Sequence, residues 1–213
     1  MRPQRQPRTK LTEAELRTRD GELVRILDNW LIRATERGGE HIACRAGCAQ
    51  CCVGAFAIDR LDSLRLQRGL NELAEHDLER AQRVMRRAAA SLERTVEFFP
   101  GDVDTGILDD SAEADEIFED FANDEPCPAL DPVTLTCDLY AHRPLTCRVY
   151  GPPVRTEGGI GVCELCFTKA SVEEIAAAEV PLDGEELEST LNRELEQVAG
   201  RGKTLVAFAL LGA

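Results

Sequence analysis

The stretch Cys44-Arg45-Ala46-Gly47-Cys48-Ala49-Gln50-Cys51-Cys52 decides how the rest of the chain is read. Four thiols fall within nine residues, at spacings of four, three and one. Such crowding answers either to disulfides or to a metal. Neighbours Cys51 and Cys52 join each other only through a strained ring, so disulfides would have to send each to a separate partner. Metal ligation makes no such demand. As a helix, the stretch would place positions 44, 48, 51 and 52 within roughly an 80–100° arc of one face. If Gly47 breaks the helix, the stretch becomes a knuckle that turns its sulfurs toward one point. Either conformation predicts that the four sulfurs converge.

The totals narrow the setting. A chain of 213 residues suits one domain with a real core. Only 5% of residues are aromatic, which leans toward helices packed through Leu, Ala and Val. The formal charge of −14 argues against nucleic acid or an anionic membrane as partner, because phosphate binding needs clustered cations. The longest apolar run, Leu205–Leu211, falls far short of the roughly 20 residues a membrane span requires. Residues 1–10 are basic and carry Pro3 and Pro7 without an apolar segment, so they read as a disordered tail and not a secretory signal. These features predict a cytoplasmic protein. In that compartment nine cysteines point to metal or redox chemistry rather than a disulfide framework.

Around the cysteines the chain reads as helical scaffold over 11–37, 59–98 and 171–211, within a single domain spanning 11–213. Leu16, Leu23, Ile26, Leu27, Trp30, Leu31 and Ala34 recur at helical spacing, and Thr12 with Glu15 forms a capping box ahead of them. Gly38-Gly39 stops that helix. Asp59 caps a second helix to about Leu73, and a third runs from about Asp77 to Phe98. Asp183 with Glu186 signals a fresh start after Pro181. Between Thr95 and His142 no Lys or Arg occurs against 14 carboxylates. We read 100–125 as an acidic loop, with partner docking through Phe118 and Phe121 as the alternative.

A second block, 126–166, completes the cysteine-rich core begun by 44–58. Prolines hold Cys127 in an extended segment, and Asp131-Pro132-Val133-Thr134 is a turn returning the chain to Cys137 in one short hairpin. Cys147 follows Pro144, and Cys163-Glu164-Leu165-Cys166 follows a glycine-rich loop. Thiolates select Zn²⁺, Cu⁺ or iron–sulfur clusters, and zinc or a cubane cluster takes four of them. Nine cysteines therefore serve two centres with one spare, or one centre with bystanders. Four thiolates on such a centre carry a charge of about −2, which calls for compensation. Arg45, Arg143 and Arg148 sit beside candidate ligands; they either compensate by charge-assisted hydrogen bonds or bind an anionic substrate or cofactor at an open metal position. Tyr140 is expected to cover the site, and His41 and His142 are further candidate ligands or outer-shell donors.

Cys44-x3-Cys48-x2-Cys51-Cys52, Pro126-Cys127-Pro128-x-Leu130 and Cys137-x2-Tyr140-x2-Arg143-Pro144-x2-Cys147-Arg148 together resemble the YkgJ-type cysteine-cluster family, known by its CxxCxxCC signature. The resemblance covers roughly 44–166 and implies chelation of zinc or iron, the ligands being Cys44, Cys48, Cys51, Cys52, Cys127, Cys137, Cys147 and one or both of Cys163 and Cys166. Two departures stand out: the long insert 59–125 and a ninth cysteine. Some relatives carry the label iron–sulfur oxidoreductase or flagellin lysine methylase, which implies an alternative enzyme with an anionic-substrate pocket at Arg143 and Arg148. The expected fold is mostly α, with helices packed around a small irregular cysteine-rich metal-binding core.

Overall fold

The computed structural model describes residues 12–156, 159–180 and 185–212. The basic tail and the Asp183 capping signal lie outside the described residues. Helix α1 (Glu13–Gly38) begins with the expected capping box, in which Glu15 donates its backbone N–H to Thr12 Oγ1 and its carboxylate accepts from Thr12 N at 2.9 Å. Leu16, Leu23, Leu27 and Ala34 lie on its buried stripe. Gly39, at φ 48°, turns the chain out of the helix. Trp30 is half-buried, with the Arg33 guanidinium over its ring.

Past the cysteine knuckle come β1 (Ala57–Ile58), α2 (Arg60–His76) and α3 (Leu78–Thr95). Asp59 caps α2 and Asp77 caps α3, each accepting a backbone N–H from three residues on. The acidic region departs from expectation. It forms β2 (Gly101–Asp102) and β3 (Ile107–Leu108), a hairpin, followed by α4 (Ala112–Asp120). Asp102 turns the hairpin by accepting from Asp104 N, and Ser111 caps α4. Phe121 is buried and Phe118 packs beside it against Phe99, Leu205 and Phe208. The ring pair proposed as docking anchors is thus part of the core.

The expected hairpin is β4 (Leu130–Asp131) with β5 (Thr136–Cys137), turned by Asp131 accepting from Val133 N and Thr134 N. A 3₁₀ turn (Tyr140–His142) and α5 (Leu145–Val149) follow, then a third hairpin, β6 (Val154–Thr156) and β7 (Gly159–Gly161). Helices α6 (Val172–Ala177) and α7 (Glu185–Ala199) lead to β8 (Thr204–Leu205) and α8 (Val206–Leu211). Strands β1, β8, β3 and β2 form one small antiparallel sheet in that order. The fold is mostly helical, and no described helix is long and apolar enough to cross a membrane.

Two cores flank the cysteine segments. One joins Leu66 and Leu70 of α2, Val84 and Ala88 of α3 and Ala209 and Leu210 of α8, with Cys127 and Cys137 packed against its edge. The other joins Leu23 and Leu27 of α1, Leu145 of α5 and Leu191 of α7. Buried ion pairs connect them. Arg65 donates to Asp20 of α1 and to Asp62, and Asp62 Oδ1 also accepts from Leu145 N at 3.0 Å, which seats α5. Asp138, with no exposed side-chain surface, accepts from Arg80 and Arg87 of α3 and so ties the β4–β5 hairpin down. Asp138→Ala should lower stability by about 1–2 kcal/mol, since the hydrogen bonds to a buried carboxylate are lost while Arg80 and Arg87 stay partly solvated. Thermal unfolding followed by circular dichroism checks this; an unchanged midpoint would show that both arginines find water at no penalty.

Candidate metal centre

The nonapeptide is not a helix. Gly47 has φ 85°, a conformation that disfavours any side chain, and the stretch folds as two successive tight turns. Cys48 donates its N–H to Arg45 O at 3.0 Å, and Cys52 donates to Ala49 O at 2.9 Å. The knuckle expectation holds to that extent, but the sulfurs do not converge on one point. The two turns lie against different segments for most of their contacts, but Gln50 Nε2 of the second turn donates to Glu164 beside the first.

The first turn lies against residues 151 and 163–167. Ala43 N donates to Cys166 Sγ at 3.4 Å, and Phe167 N donates to His41 O at 2.8 Å. Gly151 approaches so closely that a Cβ there would stand 2.6 Å from Cys44 Sγ, and its carbonyl accepts from Cys163 N at 3.3 Å. Cys163 and Cys166 are buried among Ile42, Ala43, Phe167 and Ala178. The second turn lies against the 125–137 segment. Cys127 N donates to Cys52 O at 2.7 Å, Val53 bridges Pro126, and Gly54 N donates to Glu125 O at 2.9 Å. Cys137 enters through its pairing with Leu130, and Cys147 through α5.

Electrostatics follows the same division. Although Cys44 is exposed as a residue, its thiol is pushed up to about 12, first by desolvation and then by Cys166, to which it is hydrogen-bonded, and by Cys48 and Cys163. Burial raises Cys163, with Cys166 adding to it. In the other group burial pushes Cys127 up to about 12, with Cys137 and Cys51 contributing. Cys147 is raised by burial and then by Cys127, Cys51 and Cys137. Cys51 goes the other way, down to about 6, because the Cys52 thiol donates to it and the Arg143 guanidinium stands nearby. Cys52 is pushed up correspondingly by the same hydrogen bond.

Among the described residues no three His, Cys, Asp or Glu side chains are already gathered closely enough to hold a metal ion. The donor set nevertheless suits a soft cation, since all nine cysteines are free and each group is made of sulfur. A further observation supports the fit: Arg143 Nε is buried with no hydrogen-bond partner among the described residues, and its charge acts on Cys51 and Cys137. The same guanidinium donates through Nη1 to Tyr140 O at 3.4 Å, so one N–H stays open toward a site that becomes negative when the thiols ionise.

The other candidates separate. Arg143 lies under the Tyr140 ring, 3.9 Å from its centroid, so Tyr140 covers the arginine and is itself 64% exposed. Arg148 is buried and donates to Asp28 of α1 at 2.9 Å and to Ala141 O. Arg45 is exposed and donates to Ala43 O. His142 Nε2 hydrogen-bonds Glu72 at 2.9 Å, and His41 stacks on Phe167 with Glu174 nearby at 3.6 Å. Two residues without an assigned role in the sequence reading emerge. Gly151 is the close-approach point described above. Tyr150 feels both groups: burial raises its phenol, followed by Cys163 and Cys51. Beside it opens a cleft of about 430 Å³ lined by Leu27, Leu145, Val149, Tyr150, Cys163 and Glu188 among others. Neither Arg143 nor Arg148 lines that cleft.

Because metals take thiolates, and most of these thiols are held protonated, uptake must release protons and affinity must fall as pH falls. Zinc titration of the metal-free chain, by calorimetry in buffers of different ionisation enthalpy between about pH 6 and pH 8, should show this. An affinity flat across that range would mean the sulfurs are already ionised.

Residues 43–166, more than half of the chain, match the family model described as "CxxCxxCC: Putative zinc- or iron-chelating domain". No curated protein and no solved structure matches the chain.

Proposed function

The chain belongs to the CxxCxxCC zinc- or iron-chelating family, and from that premise we propose that it is a cytoplasmic protein whose clustered cysteine thiolates hold zinc or iron. The observation that favours this ligand assignment is that thiols from four separated stretches, 44–52, 127–137, 147 and 163–166, come near enough to act on one another, Cys44 with Cys48, Cys163 and Cys166, and Cys51 with Cys127, Cys137 and Cys147. When bound, the metal supplies a cross-link among segments that contain little regular structure, and its binding energy acts as folding energy.

The chain's own residues prepare for that charge. Arg143 stabilises Cys51 and Cys137 as thiolates, and Cys52 donates a hydrogen bond to Cys51, so Cys51 is the ligand closest to its binding form. Arg148 acts at one remove, fixing α5 and with it Cys147 to α1 through Asp28. Both arginines therefore favour compensation and positioning over capture of an anionic substrate. An iron–sulfur enzyme of oxidoreductase or group-transfer type is the second reading. It draws support from the cleft beside Cys163, whose volume lies in the range of small-molecule sites. Its lining is largely apolar and includes neither arginine, which suits an uncharged ligand better than the anion expected at Arg143 and Arg148.

Anaerobic purification followed by metal analysis, acid-labile sulfide and a visible spectrum on one sample tests the proposal. Bound zinc or iron is expected; a chain purified without either overturns it. Iron with equal sulfide would favour the enzyme, and colourless zinc protein the structural role. Cys51→Ser should lower both metal content and the unfolding temperature, and unchanged metal content would remove Cys51 from the ligands. Arg143→Met should weaken metal affinity about tenfold, the scale of losing a supporting partner, while Arg45→Ala leaves it unchanged.

A further inference from the structure

Gln50 and Glu164 sit inside two CxxC segments far apart in the chain, Cys48-Ala49-Gln50-Cys51 and Cys163-Glu164-Leu165-Cys166, and Gln50 Nε2 donates to Glu164 Oε1. Resting on the chelation reading and going beyond it, we infer that Gln50 and Glu164 are positioning residues that hold the two CxxC turns against each other and slow the loss of bound metal. Neither side chain is itself a ligand.

The turn that carries Glu164 is fixed at both ends. At its start Cys163 N donates to Gly151 O at 3.3 Å, and across it Cys166 N donates to Cys163 O at 2.8 Å. At its end Phe167 is buried and stacks on His41, its N–H donated to His41 O at 2.8 Å, while Ala43 N donates to Cys166 Sγ. Phe167 has φ 56°, a left-handed conformation that a bulky residue holds only where its surroundings over-determine it. Between these anchors Glu164 and Leu165 stand exposed at the crest. Gln50 belongs to an equally fixed turn, in which Cys52 N donates to Ala49 O at 2.9 Å and Cys127 N to Cys52 O at 2.7 Å.

The side-chain bond therefore ties the free crest of one turn to the body of the other. Glu164 is covalently next to Cys163, and Gln50 next to Cys51, so the bond sets the separation of thiols that the sequence places more than a hundred residues apart. Its acceptor is a carboxylate, the stronger kind. Both partners are exposed, so water competes for the bond and its net worth is modest. Each opening lets the crest swing outward with a cysteine on either side of it. A bond of that kind acts on how long metal is kept, and leaves the amount bound unchanged.

Zinc release from the zinc-loaded full-length protein, followed with an excess of a chromophoric chelator, tests the pairing. Gln50→Ala and Glu164→Ala should each release zinc about fivefold faster, the scale of one net hydrogen bond, at unchanged zinc content and with the unfolding midpoint of the metal-free chain in place. Gln50→Ala leaves the charge beside the thiols as it is, so matched effects assign the change to the bond and not to the lost carboxylate. Gln50→Glu sets two carboxylates in opposition and should release zinc faster still. Adding Glu164→Gln rebuilds donor and acceptor in reverse and should restore the wild-type rate. Wild-type rates in both alanine variants, or an exchanged pair as fast as Gln50→Glu alone, would overturn the inference. Amide exchange over 163–167 in the metal-free chain supplies a reading that needs no metal. It should quicken in Gln50→Ala and slow again in the exchanged pair; wild-type exchange in Gln50→Ala also overturns the pairing. A wild-type chain that takes up no zinc or iron defeats the chelation reading itself, a result distinct from equal release rates.

Discussion

Asp62 is the carboxylate on which the arrangement of the cysteine segments depends. It is buried, receives the Arg65 guanidinium, and accepts the backbone N–H of Leu145, so one side chain joins α2 to the start of α5. Arg65 in turn holds Asp20 of α1, which Arg68 also holds. Burial pushes the Asp62 carboxyl up to about 6, while Arg65 pulls it back toward its ordinary range. Such a cluster gives little net stability against an apolar replacement, but it penalises any geometry that separates its members. Its structural product is the placement of α5, and therefore of Cys147, against the 127–137 segment.

Thiols gathered at this density create a conflict that the protein alone leaves unresolved. Desolvation and mutual proximity keep most of them protonated, so in the metal-free chain they contribute as small apolar groups with weak hydrogen bonds. The exception is Cys51, where a thiol donor and an arginine act together. A soft cation would reverse the balance, because the thiols would ionise to become its ligands and the buried Arg143 Nε would gain negative charge nearby. The scaffold is helical, and the cysteine-bearing segments between its helices are largely irregular.

Much of the scaffold was legible from local sequence. Thr12 with Glu15, Asp59 and Asp77 mark helix starts because capping chemistry is satisfied within three residues. Asp131-Pro132 marks the β4–β5 turn for the same reason. The four-stranded sheet was not legible. Its strands have two residues each, too few for an alternating pattern, and β8 pairs with β1 and β3 from the far end of the chain. The acidic region was misread because its charge suggested a solvated loop, whereas Phe121 and Phe118 reach the core from between the carboxylates. At the site, Arg148 looked available for an anion until Asp28, from the distant α1, occupied it.

The sequence by itself determined that this is a largely helical chain carrying a soft-donor set, because residue type sets the chemistry of sulfur and local periodicity sets the helices. Only the tertiary structure decided which sulfur meets which. Spacing within Cys44–Cys52 favours convergence of its own four sulfurs and says nothing of which distant segment each meets. The stretch meets its distant neighbours through the Cys127 N–H donated to Cys52 O, the Ala43 N–H donated to Cys166 Sγ, and the missing side chain of Gly151. Those contacts join residues far apart in the chain, and no local pattern encodes them.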